Sequence, residues 1–195
     1  MESNFYLVGV GGQGVISLGQ IIAAYAMEEG QKVKIFKEVG MAQRGSPAHC
    51  EIRIGDVFAS RIPPLSSDVV VAMEIAEALK VLEFVKPGGI VILNRTKVYP
   101  IHIMTHPQKY PTAQEIEKLF QGSKAKLMWI DAKKITEEIV LPIAENIVIL
   151  GAISFVSSFK KELTIKVLKK NIPHEVEKNI NAFLEGYRIA EGTLI

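Results

Sequence analysis

Two short stretches hold most of the residues able to do chemistry. The first is Gly9-Val10-Gly11-Gly12-Gln13-Gly14, which fits G-x-G-x-x-G. Glycines at this spacing allow a tight turn and a close backbone approach. A helix starting near Val15 then aims its unpaired N–H groups and positive dipole end at the loop. Gly9, Gly11, Gly12, Gln13 and Gly14 are therefore candidates to hold an anion. A dinucleotide site of this type also needs an acid at the end of the second strand for the ribose hydroxyls, and Glu38 stands there, 24 residues past Gly14. The plainer alternative is that the glycines only permit a strand-to-helix turn.

The second stretch is EVGMAQRGSPAHCEIRIG (38–55). Gly40 and Gly45-Ser46-Pro47 bracket a loop carrying Met41, Gln43 and Arg44 between two strands. In an open α/β sheet the loops at the carboxyl ends of strands form the binding crevice. An arginine there, with a glycine beside it, suits a carboxylate or phosphate on a ligand or partner. Met41, Gln43, Arg44, Gly45 and Ser46 are read as an interface or substrate entrance.

Other candidates are weaker. His102 and His106 have helical metal spacing, but Pro100 and Pro107 argue against a helix and no third ligand is near. His49 and Cys50 are neighbours on a strand and so point to opposite faces. Cys50, the single cysteine, reads as a small buried residue, and one thiol can hold neither a disulfide within the chain nor a four-thiolate cluster. Lys160, Lys161, Lys166, Lys169 and Lys170 read as a solvated helix face, with an electrostatic docking patch for an acidic protein as the alternative.

The elements that must position these residues follow from the apolar patterning. FYLVGV (5–10), KVKIFKE (32–38), AHCEIRIG (48–55), DVVVAM (68–73), IVILN (90–94) and KLMWIDA (126–132) read as strands. Helices are expected over 15–30, over 74–85 with Pro87-Gly88-Gly89 as the stop, and over 112–120 behind a Thr112/Glu115 capping box. More follow in the C-terminal third, with Pro173 at a first turn. Strands alternating with helices imply a Rossmann-like open, mostly parallel sheet with helices on both faces, a helical C-terminal segment, and one domain over 1–195.

Bulk properties narrow the function classes. The 195 residues are 48% hydrophobic and 23% charged with net charge +2, no case for nucleic acid. The apolar runs are too short for a membrane span and the N-terminus lacks a basic leader, so a cytoplasmic protein is expected. A dehydrogenase would also need a substrate domain and a proton-transfer group, for which this length leaves little room.

GVGGQGV, then GMAQRG and the alternating EIRIG strand, closely resemble the small subunit of indolepyruvate:ferredoxin oxidoreductase, the gamma-type module of the 2-oxoacid:ferredoxin oxidoreductases. Asn146 with Leu150-Gly151, and NINAFLEGY (179–187), look like the family's closing helices. Met41-Ala42-Gln43-Arg44-Gly45 looks more like the arylpyruvate branch than the pyruvate or 2-oxoglutarate branches, with Ser46 where a second glycine is expected. The resemblance implies a large alpha subunit carrying thiamine diphosphate, magnesium and iron–sulfur clusters. The complex would oxidatively decarboxylate a 2-oxoacid to an acyl-CoA and pass electrons to ferredoxin. The glycine loop then need not imply a nicotinamide cofactor, and its amides would meet a coenzyme A phosphate or another anion. The other reading is a free-standing dinucleotide-binding oxidoreductase or sensor built on Gly9–Gly14.

Overall fold

The computed structural model describes residues 2–40, 45–99 and 110–194. Six strands form one sheet: β1 (Ser3–Val10), β2 (Val33–Val39), β3 (Pro47–Ile54), β4 (Ser67–Ala72), β5 (Val85–Asn94) and β6 (Lys126–Ile130). Their order is β2-β3-β1-β4-β5-β6. β1, β4, β5 and β6 run parallel, while β3 is antiparallel to both its neighbours. The helices are α1 (Val15–Glu28), α2 (Ala113–Phe120), α3 (Ala132–Glu138), α4 (Glu145–Val156), α5 (Lys161–Asn171) and α6 (Val176–Leu194).

The open, mostly parallel sheet expected from the patterning is observed. On one face, Leu7, Cys50, Ile52, Val71 and Ile92 pack under α1, α4, α5 and α6. On the other, Tyr6, Val8, Val70, Val91 and Leu93 meet Ile62, Val81, Ile116 and Phe120. α4 is apolar nearly all round because α6 covers its outer side, and Gly151 and Gly186 let the two backbones touch. A Cβ on Gly186 would overlap the Val148 carbonyl, and one on Gly151 would overlap the Phe183 carbonyl.

The strand order adds one finding, and two expectations need correction. β2 does not lie beside β1, because β3 is inserted between them. Burial explains the order: β3 is covered on both faces through most of its length, whereas β2 carries exposed lysines that suit an edge. The helix expected over 74–85 is only a 3-10 turn at Ile75–Lys80, and Pro87-Gly88-Gly89 lie inside β5. There the register against β4 shifts and Gly88 takes φ 79°, so the glycines serve a bulge rather than a helix stop. Pro173 precedes α6 by three residues instead of occupying its first turn. The Thr112/Glu115 capping box is present on α2.

The chain leaves β1 through α1 on one face and leaves β4 through the 3-10 turn on the other. The topological switch point therefore lies between β1 and β4, with the glycine loop at its carboxyl edge.

Candidate functional site

The glycine loop turns β1 into α1 in four residues. Gly12 (φ 102°) and Gly14 (φ 74°) take left-handed backbone that other residues adopt with strain. Gly14 is also the N-cap of α1. It offers no side chain to the first-turn N–H groups, and no acid stands in that turn. The amides at the start of this 14-residue helix are thus left for water or a ligand. Behind the cap, Asn146 Nδ2 donates to the Gly14 carbonyl at 3.4 Å. A Cβ on Gly14 would stand 2.6 Å from that nitrogen.

Gln13 turns inward. Its Oε1 accepts the Val10 N–H at 3.0 Å and its Nε2 donates to the Met73 carbonyl at 2.9 Å. The side chain bridges the ends of β1 and β4 and spans the switch point. Gly9 makes room for it, since a Cβ there would lie 2.8 Å from Gln13 Oε1. The Gln13 side chain is therefore a brace, and the anion-site reading of that residue is corrected on this ground.

The open groove lies on the other side of β1, over β3. It has a volume of about 690 Å³, and its lining brings the two candidate stretches together: Gly11, Gly12, Gly14 and Ser17 on one wall, Gly40 and Ser46 on the other. The walls are stitched by Gly11 N–H donating to the Ser46 carbonyl (2.8 Å) and Gly45 N–H donating to the Gly11 carbonyl (3.4 Å). The Gly11 amide is consequently spent inside the protein, which leaves Gly12, Gly14 and the first turn of α1 facing the groove. Met41, Gln43 and Arg44 lie outside the described residues, as do His102 and His106.

Glu38 does not join this groove. β3 separates its strand from β1. Its carboxylate sits 3.8 Å from His49 Nε2 on the face opposite α1, where His49 packs against the Tyr6 and Phe36 rings. The acid that a dinucleotide site requires is thus on the wrong strand and the wrong face. Cys50 faces α1, away from His49, and burial pushes its thiol up to about 12. Lys166 and Lys170 both pair with Glu28, and Lys160 pairs with Glu29 at 2.8 Å, so three of the five lysines are tied to two carboxylates within the protein.

Two of the three acids buried among the described residues, Glu74 and Glu51, are singled out by no sequence pattern above. Glu74, fully buried just past β4, accepts the Tyr110 hydroxyl (2.5 Å), the Val98 N–H (2.6 Å) and the Ala76 N–H (3.3 Å). Burial holds its carboxyl above the ordinary glutamate range despite these donors. Glu51, fully buried on β3, accepts the Ile62 N–H at 2.6 Å and meets Arg61 Nε at 2.8 Å. Burial alone would raise its carboxyl, but His49, the Ile62 amide and Arg61 together hold it below the usual value. An acid directly after DVVVAM, and another amid the apolar residues of β3, were the available signals.

Comparison with known proteins decides the family. The model of the pyruvate ferredoxin/flavodoxin oxidoreductase family matches residues 4–189. The chain belongs to this family. It is 34% identical over 193 residues to the indolepyruvate oxidoreductase subunit IorB of Methanothermobacter thermautotrophicus, covering 97% of this chain and 98% of that one. Among solved structures, the family member is similar to the pyruvate oxidoreductase subunit PORC of Thermotoga maritima, with TM-score 0.75, 26% identity and 96% of each chain covered. The 2-oxoglutarate:ferredoxin oxidoreductase of Magnetococcus marinus, a structure with 2-oxoglutarate, coenzyme A and succinyl-CoA bound, shares the fold at TM-score 0.75 and 20% identity. The match covers 98% of this family member but 31% of the Magnetococcus chain, so the same module there is part of a longer polypeptide. No helix among the described residues is long and apolar enough to cross a membrane.

Proposed function

We propose that this chain is the small subunit of an arylpyruvate:ferredoxin oxidoreductase. In this reading a large partner subunit carries thiamine diphosphate, its magnesium ion and the iron–sulfur clusters. The observation that carries the reading is the 34% identity, over nearly the whole of both chains, with an indolepyruvate oxidoreductase subunit. The donor set agrees with a division of labour. Cys50 is the one cysteine and is buried, which does not fit a four-thiolate cluster in this chain. Among the described residues no group of three His, Cys, Asp or Glu side chains converges as a metal site.

When held by the partner, thiamine diphosphate supplies the decarboxylation chemistry and the clusters carry the electrons. The part given to this chain is binding and orientation. Gly12, Gly14 and the uncapped first turn of α1 offer N–H donors to a phosphate of coenzyme A, with the Ser17 hydroxyl on the same wall. The Gly45–Ser46 wall narrows the groove, and Met41, Gln43 and Arg44, on the same connection, serve as the contact to the partner or the substrate entrance.

The test is anaerobic co-purification of the tagged chain with its partner, followed by oxoacid- and coenzyme A-dependent reduction of ferredoxin. Indolepyruvate should outperform pyruvate and 2-oxoglutarate. A complex that prefers pyruvate would refute the arylpyruvate assignment. The groove is tested by Gly12→Asp against Gly12→Asn. Both replace a left-handed glycine whose Cβ position is open, and only the first adds charge. Gly12→Asp should raise KM for coenzyme A roughly tenfold over Gly12→Asn, the effect of about 1.4 kcal/mol of lost charge complementarity. Equal KM values would remove coenzyme A phosphate from the groove.

A further inference from the structure

We propose that Arg95, Lys97 and Tyr99, together with Trp129 and Tyr110, form a docking surface for an acidic segment of the large partner subunit. The inference rests on the subunit reading above. Residues 95–99 continue the line of β5, and the Arg95 N–H donates to the Ile130 carbonyl at 2.8 Å. Asn94 and Thr96 are buried, while Arg95, Lys97 and Tyr99 between and beyond them are exposed.

Both cations are laid over aromatic rings. The Arg95 guanidinium sits 4.9 Å from the Trp129 ring centre, and Lys97 Nζ sits 5.4 Å from that of Tyr110. Tyr99 packs on Tyr110 at 4.8 Å between centres. Two acids hold the row: buried Glu74 accepts from the Val98 N–H and the Tyr110 hydroxyl, and exposed Glu117 accepts from Trp129 Nε1 at 3.0 Å. Side chains held this way lose little freedom when a partner arrives.

Their charge is not spent within the protein. Among the described residues no carboxylate lies within 4.0 Å of Arg95 or Lys97. Residues 41–44 and 100–109 contain no Asp or Glu either, and the whole stretch 84–114 carries Lys86, Arg95, Lys97 and Lys109 without one acid. On α5, by contrast, Lys166 and Lys170 share the carboxylate of Glu28. Arg95 and Lys97 are thus cations held on aromatic rings and left without a carboxylate partner among the described residues. Two cations and a tyrosine at alternate positions 95, 97 and 99 exceed what a single phosphate would need and suit successive carboxylates. Arg, Tyr and Trp are the side chains that anchor protein interfaces.

The experiment compares the assembled complex carrying the wild-type chain, R95Q/K97Q, the charge-keeping R95K/K97R, and K166Q/K170Q as control. The partner is identified by mass and by its thiamine diphosphate, and affinity is measured from 50 to 500 mM salt. R95Q/K97Q should weaken assembly about tenfold at low salt and flatten its salt dependence, with R95K/K97R largely restoring both and K166Q/K170Q matching wild type. Unchanged affinity and salt dependence in R95Q/K97Q would overturn the docking surface while leaving the subunit reading in place. Loss of inorganic pyrophosphate binding with unchanged assembly would also overturn it, assigning the row to a small anion. A wild-type chain that recovers no thiamine diphosphate-containing partner would overturn the subunit reading itself.

Discussion

Replacing Gln13 tests whether the glycine loop is organised by its own side chain or kept for a ligand. Gln13→Ala removes the acceptor of the Val10 N–H and the donor to the Met73 carbonyl, two backbone groups of residues that are 1% and 0% exposed. Each unpartnered buried group costs about 1–3 kcal/mol. The groove next to the loop admits water that offsets part of this, so the expected loss is about 2–3 kcal/mol. For a chain of this size that lowers Tm by roughly 4–12 °C. Gln13→Glu keeps the acceptor but sets a carboxylate against the Met73 carbonyl, so its carboxyl pKa is raised in the folded state. Its deficit should therefore shrink on acidification, as the protonated acid regains an O–H donor. Thermal melts by circular dichroism and urea unfolding with an unchanged m-value would measure both. A Gln13→Ala chain within about 0.5 kcal/mol of wild type, the scatter of ordinary surface changes, would refute the brace.

Other consequences are equally accessible. Gly186→Ala drives a methyl into the Val148 carbonyl and should cost roughly 3 kcal/mol or more, seen as a large fall in Tm; a neutral result would mean that α6 slides freely on α4. Glu74 has a raised folded pKa, so its contribution is fully present below the ordinary value of 4.5 and is lost as pH rises through the folded value. Between pH 4.5 and neutrality the wild-type stability curve should therefore fall more steeply than that of Glu74→Gln, whatever constant offset the substitution adds; parallel curves would exclude this linkage. The Cys50 thiol, pushed up to about 12 and buried beneath α1, should resist thiol reagents at pH 8 until the chain unfolds, with labelling kinetics that track global opening.

The sheet was legible wherever hydrophobic periodicity dictated it. DVVVAM and IVILN could only be strands covered on both faces, and the capping box at Thr112 announced α2. Strand order was not legible, because β3 enters between β2 and β1 through contacts remote in sequence, such as Cys50 beneath Gly19 of α1. Local propensity also misled at 74–85. Glu74 is turned inward by donors at Val98 and Tyr110, 24 and 36 residues away, which no short window can reveal.

The inserted β3 also bears on what the glycine loop does. In a dinucleotide fold the strand beside β1 brings a ribose-binding acid to the loop. Here that place is taken by an antiparallel strand, and the two residues just before it bond to the loop instead, the Ser46 carbonyl to the Gly11 amide and the Gly45 amide to the Gly11 carbonyl. The same six-residue motif is thereby converted from one half of a cofactor clamp into one wall of a groove whose other wall includes Gly40 and Ser46. Gln13 closes the β4 side, and the groove lies on the β3 side. Under the function proposed above, a loop arranged in this way would take a coenzyme A phosphate from the edge of the sheet inward, where a larger partner would complete the site.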